Sequence, residues 1–210
     1  MDIKLTDAER IKILNSDDLY GIMQRILLRE DKIDQNREHF WVIGLANNCR
    51  ILFIELICLG SVNRSIADPM EVFSLALQKR AVQIILCHNH PSGELRASAA
   101  DKDSTDRLIQ VGKIVSTPVL DHLIISDKSF ISFMDTGLMD ELEMSDKYVP
   151  PYKLKERYEK EAARIAEQKR TIDIARQLKS NGVDLQTISD STGLSMKELE
   201  SLENDSKLNP

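Results

Sequence analysis

The stretch His88-Asn89-His90-Pro91-Ser92-Gly93, followed by Glu94-Leu95-Arg96-Ala97 and then Ser98-Ala99-Ala100-Asp101, decides how this chain is read. It follows Val82–Cys87, a short apolar run rich in β-formers that reads as a strand, and the residues from His88 to Ala97 read as a loop. Residues two apart at a strand end point the same way. His88 and His90 can therefore aim both imidazoles at one point, while Cys87 and Asn89 face away. Pro91 and Gly93 turn the chain sharply. Ser98 is then placed to cap a helix, with Asp101 three residues on, as in a capping box with a shorter acid. Two imidazoles and a carboxylate form a donor set that suits Zn2+, and three protein ligands leave a fourth position for water, as in catalytic sites. His-x-His alone carries little weight. The turn and the Ser-x-x-Asp helix start at this distance make a metal site the favoured reading, with His88, His90 and Asp101 as ligands of one Zn2+ per chain.

Working outward, the Ser98 helix should run to about Val115, with Val119–Ser126 and Ser129–Phe133 forming a hairpin around Asp127-Lys128. Upstream, Phe40–Leu45 and Ile51–Cys58 flank the turn pair Asn47-Asn48 and show little polar alternation, so this hairpin is expected to be buried on both faces. Asp68-Pro69 starts a helix with Val72, Phe73, Leu75 and Ala76 on its apolar face. Residues 6–30 read as helical, with Asp17 and Asp18 opening a second apolar-periodic stretch through Leu19, Ile22, Met23, Ile26 and Leu27. Strands mixed with helices give an α/β (α+β) domain, a mixed sheet flanked by helices. The composition then changes. Lys153–Gln177 reads as a long charged helix ended by Asn181-Gly182, followed by short helices at Asp184–Ser191 and Ser195–Glu203. The expected division is N-terminal helices over 1–36, the core domain over 37–140, a charged linker helix over 141–171 and a small helix-turn-helix-like C-terminal appendage over 172–210.

Bulk properties narrow the function. The chain has 210 residues, 42% hydrophobic and 30% charged, enough to fold around a core without a structural metal. A net charge of −6 gives no global attraction to nucleic acid or to an acidic membrane. Ile51–Gly60 is the most apolar stretch, but Glu55 interrupts it and it is too short to span a bilayer. The charged start MDIKLTDAER does not read as a secretory signal, so the expected compartment is the cytoplasm. Cys49, Cys58 and Cys87 are odd in number and widely spaced, which fits reduced thiols.

His-x-His, seven residues, then Ser-x-x-Asp resembles the JAMM signature of JAB/MPN+ metalloproteins. HNHPSG, with Asp101 and Thr105 in the next helix and Leu120-Asp121-His122-Leu123 after it, resembles the RadC branch over roughly residues 35 to 138. The usual Pro before the capping Ser is replaced by Ala97, which loosens the loop and removes no ligand. The helix-hairpin-helix segment that often precedes the domain in longer RadC proteins is not expected here. The resemblance implies a cytidine-deaminase-like mixed sheet and a zinc-dependent hydrolase, a peptidase or isopeptidase acting on a peptide or protein substrate. It also implies an upstream glutamate, matched by Glu38; Glu55 and Glu94 are its competitors, and periodicity alone does not choose among them. Glu38 is then the general base and later the acid, and Ser98 a donor to the developing oxyanion as well as a helix cap. His39 is expected to be a partly exposed strand residue, and His122 to be structural or to support a ligand.

The last helix carries Lys197 against Glu198, Glu200 and Glu203, a poor match to a DNA-reading helix. The appendage is therefore read as a packing or protein-interaction module, and the C-terminal helices could pair with another copy. It resembles the ends of some transposase-related proteins. A nucleic-acid-associated accessory role, in DNA repair or a mobile element, is the alternative with little sequence support; a non-catalytic MPN scaffold is disfavoured by the intact ligand set. No membrane partner is expected.

Overall fold

The structure, a computed structural model, describes residues 12–30, 35–60 and 67–202. The chain divides into two compact units, Met1–Val149 and Pro150–Pro210.

The first unit is built on a five-stranded mixed sheet: β1 (His39–Leu45), β2 (Ile51–Leu59), β3 (Gln83–Asn89), β4 (Val119–Ile125) and β5 (Phe130–Ser132), in the order β2-β1-β3-β4-β5. Only β3 and β4 run parallel; the other neighbours are antiparallel. The helices are α1 (Ser16–Leu27), α2 (Pro69–Gln78), α3 (Ala99–Ile114) and α4 (Leu138–Glu143). The mixed α/β architecture is the expected one.

Side-chain alternation along the strands sorts the core into two layers. Phe40, Val42, Ile84, Leu86 and Ile124 face α2, α3 and α4, where Val72, Phe73, Leu108 and Met139 meet them. Trp41, Ile43, Ile85, Cys87 and Leu123 face α1. Five α1 side chains, Leu19, Ile22, Met23, Ile26 and Leu27, are at most 4% exposed, a gross hydrophobic gain of roughly 10 kcal/mol. Lying between two strands and two helical layers, β1 is buried at every position. The expectation of burial on both faces holds for β1 but not for β2: β2 is the sheet's edge, and its exposure rises to Cys58 and Leu59. Gly44 has a packing reason. A Cβ there would lie 1.9 Å from the Phe53 ring on the paired strand.

Element boundaries follow their caps. Asn15 caps α1 by accepting from the Asp18 N–H, so the helix starts at Ser16. Residues 12–15 are not helical, and Lys12 bridges Arg50 instead; residues 6–11 lie outside the described residues. Asp68 caps α2 with Pro69 at its first turn, as read. Strand β3 runs on through His88 and Asn89, which the sequence placed in the loop; parallel pairing with β4 continues to Asn89 opposite Ile125.

The topology gathers one end of the sheet. Strand β3 ends where the connection to parallel β4 begins, and that connection passes through α3. Antiparallel β1 begins at the same end. The carboxyl ends of parallel strands are the usual place for a site in such sheets.

The second unit contains α5 (Pro151–Ser180), α6 (Leu185–Thr192) and α7 (Met196–Ser201). Its small core is Ala175, Ile188 and Leu199. Asp184 caps α6, and Ser195 with Glu198 forms a capping box on α7. Gly193, at φ 74°, supplies the left-handed turn between them. Among the described residues, no helix is long and apolar enough to cross a membrane.

Candidate metal centre

His88 and His90 leave the end of β3 on the α3 side, and Asp101 meets them from the first turn of α3. One ligand atom from each lies within 4.8 Å of the others, the one such cluster among the described residues. His88 Nε2 is 3.4 Å from Asp101 Oδ1, and His90 Nε2 is 3.7 Å from Asp101 Oδ2. The two Nε2 atoms are 2.9 Å apart. Each ring's other nitrogen is occupied: His90 Nδ1 by the Glu94 carbonyl at 2.6 Å, and His88 Nδ1 by His122 Nε2 at 2.7 Å. Both imidazoles therefore turn Nε2 toward Asp101. Convergent imidazole nitrogens and a carboxylate, with their distal nitrogens engaged, are the donor set a divalent cation such as zinc takes. The residues present fit a bound metal.

The helix cap serves the site. Ser98 Oγ accepts from the Asp101 N–H, and Asp101 Oδ2 accepts from the Ser98 N–H at 2.7 Å, so the reciprocal bonds of the cap fix the Asp101 carboxylate. The Ser98 hydroxyl uses a lone pair in this cap and keeps its own hydrogen as a donor, within reach of the Asp101 carboxylate.

Electrostatics follow from this packing. Burial holds His88 down to about 4 against the pull of Asp101, so it is neutral at pH 7. Burial also keeps His122 well below the ordinary range. His90 is raised, chiefly by its bond to Asp101. For Asp101, burial acts upward, but bonds from His90 and Ser98 and the proximity of His88 outweigh it and hold the carboxyl well below its usual value.

Glu38 precedes β1 and lines a cleft of about 550 Å³ together with His90, Ser98, Arg37, Glu94 and Arg96. Desolvation first, and then the Asp101 charge, raise its pKa, while His90 lowers it. Glu55 stands opposite Val42 on the edge strand and does not line the cleft. Glu94 does line it, but its side chain is largely exposed beside Arg96.

His39 corrects the sequence reading: it is buried, not partly exposed. Its parity places it on the α1 face, where it stacks on Trp41 at 5.0 Å. The sequence reading also missed the role of Asn89. Its Oδ1 accepts from the His39 N–H at 2.7 Å and its Nδ2 donates to the Arg37 carbonyl at 3.0 Å. A side chain between the two metal-site histidines thus holds the backbone on both sides of Glu38. Only the β1–β3 pairing brings these residues together, so spacing carries no signal for it.

Residues 13–138 match the RadC-like JAB domain. The chain belongs to the RadC-like JAB domain family. Residues 168–204 match the C-terminal HTH domain of the Rpn/YhgA-like nuclease family. A UPF0758 protein of Flavobacterium johnsoniae is 39% identical over 127 residues, covering 60% of this chain and 53% of the relative. A UPF0758 protein of Caldanaerobacter subterraneus subsp. tengcongensis is 39% identical over 135 residues, 64% of this chain and 56% of the relative. One from Geotalea uraniireducens is 45% identical over 106 residues, 50% and 46% respectively. The chain spans about half the length of the curated relatives it matches. The RadC-like match contains the whole His88, His90 and Asp101 cluster together with Glu38 and Ser98.

Proposed function

We propose that this protein is a zinc-dependent hydrolase that cleaves peptide or isopeptide bonds. The observation that carries the reading is the convergence of His88, His90 and Asp101 beside a cleft that Glu38 and Ser98 also line. Zinc bound there would supply Lewis-acid activation of water and of a scissile carbonyl at neutral pH. The chain's own groups do the rest. Glu38, partly desolvated beside His90, takes the proton of the attacking water and passes it to the departing amine. The Ser98 hydroxyl donates to the oxyanion as the carbonyl carbon becomes tetrahedral. Asn89 keeps Glu38 in place through the backbone at Arg37 and His39.

The test has two parts. Elemental analysis of gently purified protein should find about one zinc per chain, as expected for one three-ligand site, and His88→Ala should lose it. Glu38→Gln expressed in the native cell should retain a bound protein substrate that the wild type releases. A metal-free wild type rejects the metal reading. A zinc-loaded Glu38→Gln that retains nothing beyond the wild type rejects the hydrolase reading.

A second reading, a nucleic-acid-associated accessory role, rests on the similarity of residues 168–204 to the HTH domain of a nuclease family. Within α7 one lysine, Lys197, stands against two glutamates, Glu198 and Glu200, a composition that repels phosphate. Salt-sensitive binding of duplex DNA at physiological ionic strength would favour this reading over a protein-interaction module.

A further inference from the structure

Buried groups behind the centre form a continuous chain of hydrogen bonds that the proposed chemistry does not use. His88 Nδ1 lies 2.7 Å from His122 Nε2. His122 Nδ1 lies 2.6 Å from Thr105 Oγ1. The Thr105 hydroxyl donates to the Asp101 backbone carbonyl at 2.6 Å. His122 and Thr105 are both fully buried. Phe40 and Phe133 flank the His122 ring, so water cannot readily replace a missing partner.

The hydrogens along this chain can be counted. A carbonyl only accepts, so Thr105, having donated to Asp101, offers His122 nothing but lone pairs. His122 must then carry its hydrogen on Nδ1, and its bare Nε2 can only accept from His88. His88 in turn carries its hydrogen on Nδ1, leaving the Nε2 lone pair facing His90 and Asp101. Reversing the chain would move the His88 hydrogen onto Nε2, the atom that must be bare to bind a cation.

We propose that His122 and Thr105 are positioning residues that hold His88 in its metal-binding tautomer. The inference rests on the reading of His88, His90 and Asp101 as a metal centre. Thr105 stands one helical turn beyond Asp101, so the chain also ties the strand that carries one ligand to the helix that carries another. Conserving the Thr105 hydroxyl matters more here than conserving its volume.

The test uses the full chain and zinc as the probe. Zinc affinity is measured by competition with a chromophoric chelator for wild type, Thr105→Ser, Thr105→Val and His122→Phe. The expected result is near wild-type affinity for Thr105→Ser and about 10- to 100-fold weaker binding for Thr105→Val and His122→Phe. Nitrogen NMR of the zinc-loaded wild type should find His122 protonated on Nδ1 and bare at Nε2. Wild-type affinity in Thr105→Val, or a loaded His122 protonated on Nε2, overturns the inference and leaves the metal centre standing. A folded wild type that binds no zinc overturns both. If His122→Phe fails to fold, the Thr105 pair and the NMR of the wild type decide the question.

Discussion

Phe40 pairs with His88 across the β1–β3 ladder, and the two rings lie nearly parallel with centroids 6.2 Å apart. Carried two residues further in this antiparallel register, the pairing sets Glu38 level with His90 at the mouth of the cleft. Register thus brings Glu38, and not Glu55, to the cleft that His90 lines. Glu38→Gln should lower hydrolysis by about 10²- to 10⁴-fold, the range for a lost general acid–base group. Its zinc content should equal that of the wild type. Turnover of a model isopeptide together with elemental analysis checks both halves.

In the metal-free protein, desolvation and then the Asp101 charge favour the neutral Glu38 carboxyl. In chelator-treated protein it should therefore titrate above the ordinary carboxylate value of 4.5, as followed by carbon NMR. Bound zinc, a nearby cation, should move that titration downward. A metal-free titration at or below the ordinary value would contradict the desolvated placement of Glu38 beside Asp101.

Metal-free protein should lose stability as the pH falls from neutral. His88 titrates near 4 when folded and 6.5 when unfolded, so between those values the unfolded chain binds more protons and stability rises with pH. His88 alone contributes about 3 kcal/mol over this window. His122, also depressed, adds in the same direction, while the raised His90 opposes them. Urea unfolding of chelator-treated protein at pH values from about 4 to 7 measures the slope, which His88→Gln should reduce.

Ser98 has two separable duties. Ser98→Ala should lose about 1 kcal/mol of stability with the cap and about 10²- to 10³-fold in kcat with the oxyanion donor. Ser98→Asp keeps a capping acceptor but has no hydrogen to donate, so it should retain more of the stability while remaining inactive. Thermal melts and single-substrate kinetics on the two variants separate the duties.

Asn89→Ala should be costly without touching a ligand. It leaves the buried His39 N–H without its acceptor, while the Arg37 carbonyl keeps its contact with His39 Nδ1 at 2.9 Å. One unsatisfied buried donor makes the expected loss about 1–3 kcal/mol. Denaturant unfolding reads it directly, and zinc stoichiometry should stay unchanged.

The ligand cluster was legible in the sequence because its determinants are local. His88 and His90 share a side because they are two apart at a strand end. Ser98 and Asp101 face each other because they are three apart at a helix start. The cap at Asp68 was legible for the same reason. What lay beyond reach depends on pairing between distant segments. Strand β3 runs on to Asn89 because β4 offers it a parallel partner, and β2 is only half-buried because it stands at the end of the strand order among the described residues. His39 is buried because its parity directs it onto Trp41. The choice of Glu38 over Glu55, the hold of Asn89 on the backbone around Glu38, and the chain from His88 through His122 to Thr105 all join residues 17 to 52 positions apart. Sequence by itself determined the donor types and their spacing. Tertiary structure decided which carboxylate stands beside them and which hydrogen each imidazole carries, because those depend on strand register and on partners that only the packed sheet supplies.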